Sequence, residues 1–268
     1  MRIAIAFLSK YPSIETINFA TKIGIETDFK THIIVDSMEP VAITQNCMIV
    51  QLSDTICMSA GYKNCNIGDN ITSIKKNPTA WDKFLYYFCE LDTSYDYVWV
   101  FEDDVFIPSI DVLKNLILKY TEFDLVTANN FVRRNNDMTW YWPHIIDKIQ
   151  GPHFNSMVCA AGLSKNLLEV IKKRVQVAGE LFYIESLLNT LAIQNSLSVK
   201  CPLELKSIVW MGHWGIDEFL LLPNNIFHPL KDIDDYESKR ALIKDKIEDG
   251  YIPKNNLPGF INEMLKHE

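Results

Sequence analysis

Short runs of apolar residues alternate with segments of helical spacing along most of the chain. A continuous apolar run is typical of a buried parallel strand, whereas apolar residues three and four positions apart indicate one face of a helix. This alternation predicts an α/β fold, with a mostly parallel central sheet flanked by helices in a single domain. The predicted strands are RIAIAFLS, KTHIIVDS, CMIVQLS, YVWVF, FDLVTA, NSMVCAAGLS and LKSIVWMGHW, and the predicted helices cover residues 13–26, 78–88 after an Asn77 cap, 110–120, 164–177 and 184–191.

The last part of the chain has a different pattern. After Asp232 the sequence becomes charged and loses its hydrophobic periodicity. We therefore expect the main domain to cover residues 1–232, and residues 233–268 to form a charged tail or an appended helix. No internal repeat or low-complexity linker divides the main domain.

Composition narrows the classes of partner. Of the 268 residues, 48% are apolar and 22% are charged, which is enough apolar material for a substantial core. With 26 basic and 34 acidic residues, the net charge of −8 does not favour nucleic acid or anionic membranes as partners. No apolar segment approaches the roughly 20 residues of a membrane span. The opening strand does not resemble a secretory signal and the six cysteines form no CxxC pair, so we expect reduced cysteines and a cytoplasmic location.

Three adjacent carboxylates follow the predicted strand YVWVF. Glu102, Asp103 and Asp104 lie in the stretch YDYVWVFEDDVF, directly after five apolar residues. Ligands of open parallel sheets bind beyond the carboxyl ends of the strands, and alternate side chains there point the same way. Glu102 and Asp104 are thus expected on one side, where two carboxylates suit Mg²⁺ or Mn²⁺. Such a cation can stabilise a departing nucleotide diphosphate; the alternative is a solvated acidic turn.

This stretch resembles the DxD-type motif of GT-A-fold glycosyltransferases, in its EDD variant. The order of the elements across residues 1–231 is similar, and YIESLLNTLA, around Glu185, is similar to a segment of core-2-branching transferases. The resemblance implies a Rossmann-type, GT-A-like fold with a nucleotide-binding half near residues 1–104 and an acceptor half at 105–232. It also implies sugar transfer from a nucleotide sugar, a UDP-sugar first of all, to a glycan, glycoprotein or glycolipid acceptor, with Mn²⁺ or Mg²⁺ as cofactor.

The same resemblance suggests the metal and nucleotide ligands. Asp104 would bind the metal directly, and Glu102 or Asp103 would contact the ribose or a metal-bound water. A late histidine completes the metal shell in many GT-A enzymes, so the predicted metal residues are Asp104, Glu102 and His228, with His213 as the alternative histidine. The other predicted nucleotide contacts are Asp36 at the nucleoside, near Ser9 and Lys10, and Lys231 at the phosphates. Lys83 is a further candidate phosphate contact, and the alternative is an ordinary solvated lysine on the helix before the motif.

Inverting transfer needs a general base that takes the proton of the acceptor hydroxyl. Glu185 begins a predicted helix on the side opposite its apolar residues, so its carboxylate can face a cleft. The alternative is an ordinary acidic residue in the first turn of a helix. Glu180 is a competing base, and a retaining enzyme would require neither.

Aromatic side chains commonly bind sugars, because their apolar faces match the C–H groups of the sugar ring. Trp81 and Trp99 fit core positions, whereas the stretch TWYWPH forms either an acceptor wall or a hydrophobic plug. Gly162 allows an acceptor to approach the backbone closely, although a tight turn before Ser164 explains it equally well. The predicted acceptor residues are Trp140, Tyr141, Trp142, Gly162, Trp210, His213 and Trp214.

Two other functions share parts of this pattern. A sugar nucleotidyltransferase also uses strand-end carboxylates and Mg²⁺. It needs a glycine-rich, basic phosphate loop after the first strand, where this chain reads LSKYPSIET. A catalytically inactive carbohydrate-binding relative is the second alternative, and the intact acidic triplet argues against it.

Overall fold

A computed structural model describes residues 1–42, 44–66, 78–254 and 259 of the chain. Within these residues a mostly parallel sheet of seven strands lies between two layers of helices, which confirms the predicted α/β class. Two further strands, β6 and β7, form a separate antiparallel ribbon. The strands are β1 Ile3–Ser9, β2 Lys30–Val35, β3 Cys47–Gln51, β4 Tyr97–Glu102, β5 Leu125–Val126, β6 Phe131–Val132, β7 Phe154–Asn155, β8 Ala160–Ser164 and β9 Val199–Lys200. The helices are α1 Ile14–Glu26, α2 Asp54–Ser59, α3 Ala80–Tyr86, α4 Ile110–Tyr120, α5 Lys165–Ala178, α6 Ile184–Gln194, α7 Ile216–Leu221 and α8 Tyr236–Glu248.

The strands follow the order β3-β2-β1-β4-β8-β5-β9 across the sheet. β1 pairs in parallel with β2 and β4, and β2 pairs in parallel with β3, so the carboxyl ends of these four strands lie at one edge. β8 runs antiparallel to β4 and β5, and β9 is parallel to β5. The parallel half therefore provides the kind of edge at which ligands of open sheets bind.

Alternate side chains of the central strands enter two separate hydrophobic clusters. On β1, Ala4 and Ala6 face the layer that contains α3, α5 and α6. Ile5 and Phe7 face the opposite layer, which contains α1 and α4. Because both faces are covered, the strand YVWVF is fully buried, as its continuous apolar run predicts.

Two predicted elements differ from the structure. The stretch LKSIVWMGHW is not a strand. Within the part of the chain that the structure describes, its sheet-like pairing is limited to a single bridge between Ile208 and His228, and β9 takes the place beside β5. The helix predicted from residue 78 begins at Ala80. Its first turn is closed by the carboxylate of Asp82, which accepts the amide of Thr79 at 2.8 Å. Asn77, the predicted cap, lies outside the described residues.

The charged segment after Asp232 contains a helix, α8, which packs against the main body. The guanidinium group of Arg240 lies 3.7 Å from the centre of the Phe19 ring and pairs with Glu15 at 2.8 Å. It also donates to the carbonyl of Ile107 at 3.0 Å. Among the two outcomes predicted for this segment, its described part is therefore an appended helix rather than a tail.

None of the described helices combines the length and the apolar character that crossing a membrane requires. The six cysteines all lie in described residues and carry free thiols. Five of them are buried, as is usual for free thiols, which pack as small apolar side chains.

Candidate functional site

The acidic triplet lies at the carboxyl end of β4, beside a segment from much later in the chain. Phe106 and Phe227 exchange two backbone hydrogen bonds, of 2.8 and 3.0 Å. The amide of Leu230 donates to the carbonyl of Asp104 at 2.9 Å. These backbone contacts hold His228 next to the triplet.

His228 directs its Nε2 atom at Asp104. Nε2 lies 3.3 Å from Oδ1 of Asp104, and Nδ1 lies 2.8 Å from the carbonyl oxygen of Val209. Since a carbonyl only accepts, Nδ1 carries the hydrogen, and Nε2 of the neutral ring offers a lone pair. Two acceptors then face each other, an arrangement that a proton or a metal cation between them stabilises.

Lys231 is a second positive partner of Asp104. Its ammonium group pairs with Oδ2 of Asp104, although 75% of the lysine side chain is exposed. Burial raises the pKa of Asp104, but His228 and Lys231 outweigh burial and hold this pKa below its usual range. Burial likewise lowers the pKa of His228, and the contact with Asp104 more than reverses this. Asp104 is therefore ionised at neutral pH, as a metal ligand must be.

Glu102 faces the same group of side chains. Its Oε1 atom accepts the indole N–H of Trp81 at 2.7 Å. Burial raises the pKa of Glu102, and the negative charge of Asp104 acts in the same direction. Glu102, Cys159 and His228 each present one ligand atom, and these atoms lie within 4.8 Å of one another. Trp81 is buried as predicted, and Cys159 is buried too, but nothing in their local sequence pattern indicates that they also reach the site.

Asp103 has a different partner. Its Oδ2 atom accepts the hydroxyl hydrogen of Ser9 at 2.6 Å, and burial raises the pKa of this carboxyl. Glu102 and Asp104 lie beside His228, whereas Asp103 binds the end of β1. As the alternation of side chains along a strand predicts, Glu102 and Asp104 lie on one side and Asp103 lies on the other.

An open cleft of about 370 Å³ adjoins the triplet at the carboxyl ends of β1, β2 and β4. The amide of Asp36 donates to the carbonyl of Ser9 at 2.9 Å, which joins the ends of β1 and β2. The cleft thus brings together most of the residues predicted for nucleotide binding. They are Ser9, Lys10, Asp36, Glu102, Asp103 and Asp104, with Trp81 beside them.

Lys83 is placed differently from its prediction as a phosphate contact. Its side chain is fully buried, and its ammonium group donates to the carbonyl and carboxylate oxygens of Asp36 at 2.5 and 3.0 Å. It also pairs with Asp54 at 2.9 Å. Burial opposes the positive charge, but the two carboxylates outweigh it and raise the lysine pKa. Lys83 therefore orients Asp36 and has no hydrogen left for a phosphate, which corrects the sequence-based prediction.

Two of the predicted metal ligands, Glu102 and His228, present donor atoms within 4.8 Å of each other, and Asp104 contacts His228 at 3.3 Å. Two carboxylates and one imidazole suit Mn²⁺, and Mg²⁺ takes the carboxylate oxygens. The hydrogen bond from Nδ1 of His228 to Val209 is the outer contact typical of a metal-binding histidine. Asp104, Glu102 and His228 are accordingly the residues that would hold the cation.

Glu185 lies at the start of α6, within reach of the charges of Glu102 and His228. Burial raises the pKa of its carboxyl to about 7. The interaction with Tyr183 lowers this pKa, and the charge of Glu102 raises it. A carboxyl group with such a pKa is suited to general base catalysis near neutral pH.

Glu180, the competing base, is occupied by structural contacts. Its Oε2 atom accepts the side-chain amide of Asn64 at 2.8 Å, and its Oε1 atom pairs with Lys148. These contacts join three segments of the chain. Glu185 is therefore the better placed of the two carboxylates.

The aromatic residues of the stretch TWYWPH differ in burial: one is in the core and two are partly exposed. Trp142 is only 4% exposed and packs in the core, so its predicted role as an acceptor wall is wrong. Trp140 and Tyr141 are half-buried, with ring centres 5.5 and 4.9 Å from that of Tyr183. These two rings therefore pack against Tyr183, the residue that interacts with Glu185.

The remaining predicted acceptor residues lie on the loop that precedes α7. Trp210 is 67% exposed and His213 is also exposed. Trp214 is half-buried, and its indole N–H donates to the carbonyl of His228 at 3.0 Å. His228, rather than the alternative His213, is thus the histidine in contact with Asp104.

Gly162 lies in the middle of β8 and not at an acceptor surface. A Cβ atom at this position would lie 2.8 Å from carbon atoms of both Trp99 and Tyr97. The backbone there is an ordinary strand that pairs with β4 and β5. Gly162 is therefore needed for close packing inside the sheet, which corrects both the acceptor role and the turn predicted for it.

Comparison with known proteins adds nothing to the description of this site. A scan against protein-family models finds no match to the sequence, and a search of curated proteins finds none either.

Proposed function

We propose that this chain is a metal-dependent, GT-A-like glycosyltransferase that moves a sugar from a nucleotide-diphosphate donor, a UDP-sugar first of all, to an acceptor hydroxyl. The observation that carries the proposal is the contact between Asp104 and His228, beside Glu102, at the carboxyl end of β4. The carboxyl edge of a parallel sheet is where such folds bind nucleotides. A cluster of this composition suits a cation that accompanies a diphosphate.

The donor would lie in the cleft formed by the ends of β1, β2 and β4. Asp36, held by Lys83, would accept hydrogen bonds from the nucleoside. When bound at Asp104, Glu102 and His228, Mn²⁺ or Mg²⁺ supplies positive charge for the departing diphosphate. Lys231 is exposed and would turn from Asp104 to the phosphates.

Glu185 would act on the acceptor side of the reaction. Its carboxylate takes the proton of the acceptor hydroxyl as the oxygen attacks the anomeric carbon. The bond between that carbon and the diphosphate oxygen breaks on the opposite face, so the configuration inverts. Trp140, Tyr141 and Trp210 offer aromatic surface for a glycan, glycoprotein or glycolipid acceptor.

The direct test is release of nucleoside diphosphate from a panel of UDP- and GDP-sugars, with Mn²⁺ or Mg²⁺ and then with excess chelator. The proposal predicts metal-dependent release from at least one donor, lost in Asp104→Asn. The matched control is Asp28→Asn, an exposed carboxylate between α1 and β2. No release from and no binding of any nucleotide sugar would overturn the proposal. Binding without release or transfer would favour the inactive carbohydrate-binding alternative.

A further inference from the structure

Cys159 adds a sulfur donor to the side chains that face the triplet. It lies just before β8, and its carbonyl accepts the amide of Glu102 at 2.8 Å, so its backbone position is fixed relative to β4. The residue is 6% exposed. A buried thiol usually acts as a small apolar side chain. Cys159 also packs in the hydrophobic cluster beside α1 and α4, but its sulfur atom lies within 4.8 Å of donor atoms of Glu102 and His228, which the proposed function assigns to a metal.

The distances suit a shared metal ion. The sulfur atom of Cys159, one carboxylate oxygen of Glu102 and one ring nitrogen of His228 all lie within 4.8 Å of one another. Ligand atoms on one tetrahedral zinc ion lie about 3.5 Å apart, given its bond lengths of roughly 2.0–2.3 Å. Small side-chain rotations would therefore bring the three atoms onto one ion and leave the fourth position open.

The chemistry of the donors selects the ion. Mg²⁺ and Mn²⁺ prefer oxygen ligands, and thiolate sulfur favours Zn²⁺. The oxygen-rich set of the proposed function uses Asp104, whereas the sulfur-containing set uses Cys159. Both sets require Glu102 and His228, so they cannot be filled at the same time.

We propose that Glu102, Cys159 and His228 form a zinc site that overlaps the proposed Mn²⁺ or Mg²⁺ site and competes with it. On binding, a bond forms between Zn²⁺ and the sulfur of Cys159, and the thiol proton leaves to solvent. Zinc binding itself does not depend on the proposed function. Its consequence, inhibition of sugar transfer by Zn²⁺, rests on that function.

Cobalt is the probe for the test, because Co²⁺ occupies tetrahedral zinc sites and a Co²⁺–thiolate bond gives a charge-transfer absorption band. Co²⁺ added to the metal-free protein should produce this band, and one equivalent of Zn²⁺ should abolish it. Cys159→Ser should lose the band. The matched control Cys201→Ser, which changes a half-buried thiol near Lys206, should keep it.

A second measurement keeps the proposal testable if Cys159→Ser does not fold. X-ray absorption of the zinc-loaded wild-type protein should show one sulfur scatterer at about 2.3 Å and nitrogen or oxygen scatterers at about 2.0 Å. Absence of sulfur, or an unchanged cobalt band in Cys159→Ser, contradicts the zinc site. Neither the cobalt band nor the X-ray absorption measurement uses a nucleotide. A negative result in either therefore does not argue against the proposed function, and a lack of UDP binding does not argue against the zinc site.

Discussion

The Nε2 atom of His228 lies 3.3 Å from Oδ1 of Asp104, although the two residues belong to distant parts of the chain. The ring is oriented by Val209, whose carbonyl accepts the Nδ1 hydrogen at 2.8 Å. In the neutral ring, Nε2 and Oδ1 are both acceptors, so their contact is stable only with a proton or a cation between them. This pair supports the metal centre that we propose at the end of β4.

Replacement of Glu185 by Gln should remove the general base while keeping the shape of the side chain. We expect the transfer rate to fall about 10²–10⁴-fold, because proton removal by a positioned base contributes rate factors of that size. UDP affinity should stay near the wild-type value, since the proposed role of Glu185 is on the acceptor side. Steady-state kinetics and UDP titration of the same variant measure the two effects separately.

The control for this prediction is Glu180→Gln, which alters the carboxylate bound to Asn64 and Lys148. It should retain transfer. In the wild-type protein the rate should decrease as the pH falls below about 7, the pKa of Glu185, because only the ionised base accepts a proton. Near-normal transfer by Glu185→Gln, or a pH profile that it shares with the wild type, argues against Glu185 as the base.

Replacement of Lys83 by Met should destabilise the fold. It leaves Asp36 and Asp54 without their buried cation, and breaking buried pairs costs about 3–5 kcal/mol. Because both carboxylates reach solvent, we expect a loss near the lower end, about 3 kcal/mol in the free energy of unfolding. Urea denaturation measures it.

The matched control is Lys10→Met, an exposed lysine that also lines the cleft. Its free energy of unfolding should change by no more than about 0.5 kcal/mol. If Lys83→Met were as stable as the wild type and lost only UDP affinity, Lys83 would be a phosphate contact and would not be needed to hold Asp36 and Asp54.

His32 should make the protein less stable in mild acid. The ring is 1% exposed and packed among Tyr87, Phe88 and Tyr95, and burial lowers its pKa to about 4. The unfolded chain takes up a proton near pH 6.5, which the folded protein resists until about pH 4. The free energy of unfolding should therefore fall by about 3 kcal/mol as the pH drops through this window.

Denaturation of the wild type and of His32→Phe across this pH range checks the prediction. The variant should lose much less stability on acidification, because phenylalanine takes up no proton. His213→Gln, which alters an exposed ring, should behave like the wild type. If the wild type and His32→Phe lost the same free energy of unfolding on acidification, His32 would not be the cause of the acid sensitivity.

Replacement of Gly162 by Ala should cost about 1–3 kcal/mol of stability, the usual penalty for an overpacked core. The added methyl group would lie 2.8 Å from the rings of Trp99 and Tyr97. Thermal denaturation measures the loss, and Gly215→Ala is the control, since a Cβ there meets only the carboxylate of Glu218. A fully stable Gly162→Ala with a raised KM for acceptor would restore the acceptor role.

The strands and helices of the parallel half of the fold can be predicted from the sequence, because each is indicated by a pattern of neighbouring residues. The continuous apolar run YVWVF indicates a strand buried on both faces, and the three carboxylates after Phe101 mark its end. The spacing of Ile184, Leu187 and Leu188 likewise indicates α6. Each of these features depends on neighbours within a few residues.

Other features could not be predicted because they depend on contacts between distant segments. The direction of β8 is set by its pairing with β4, and only that pairing explains why Gly162 lies under Trp99. The sequence around Lys83 is also compatible with a surface residue of a helix, and its ion pairs with Asp36 and Asp54 are seen only in the folded chain. Cys159 reads as a core residue, since its distance to Glu102 and His228 appears only in the folded chain.

The central claim is that the triplet and His228 form a metal-dependent nucleotide site, and calorimetric titration of UDP tests it most directly. Wild type should bind UDP with Mn²⁺ and lose binding in excess chelator. Asp104→Asn should not bind UDP even with Mn²⁺, whereas the control Asp28→Asn should bind like the wild type. Equal UDP binding by Asp104→Asn and wild type, with or without Mn²⁺, would contradict the account.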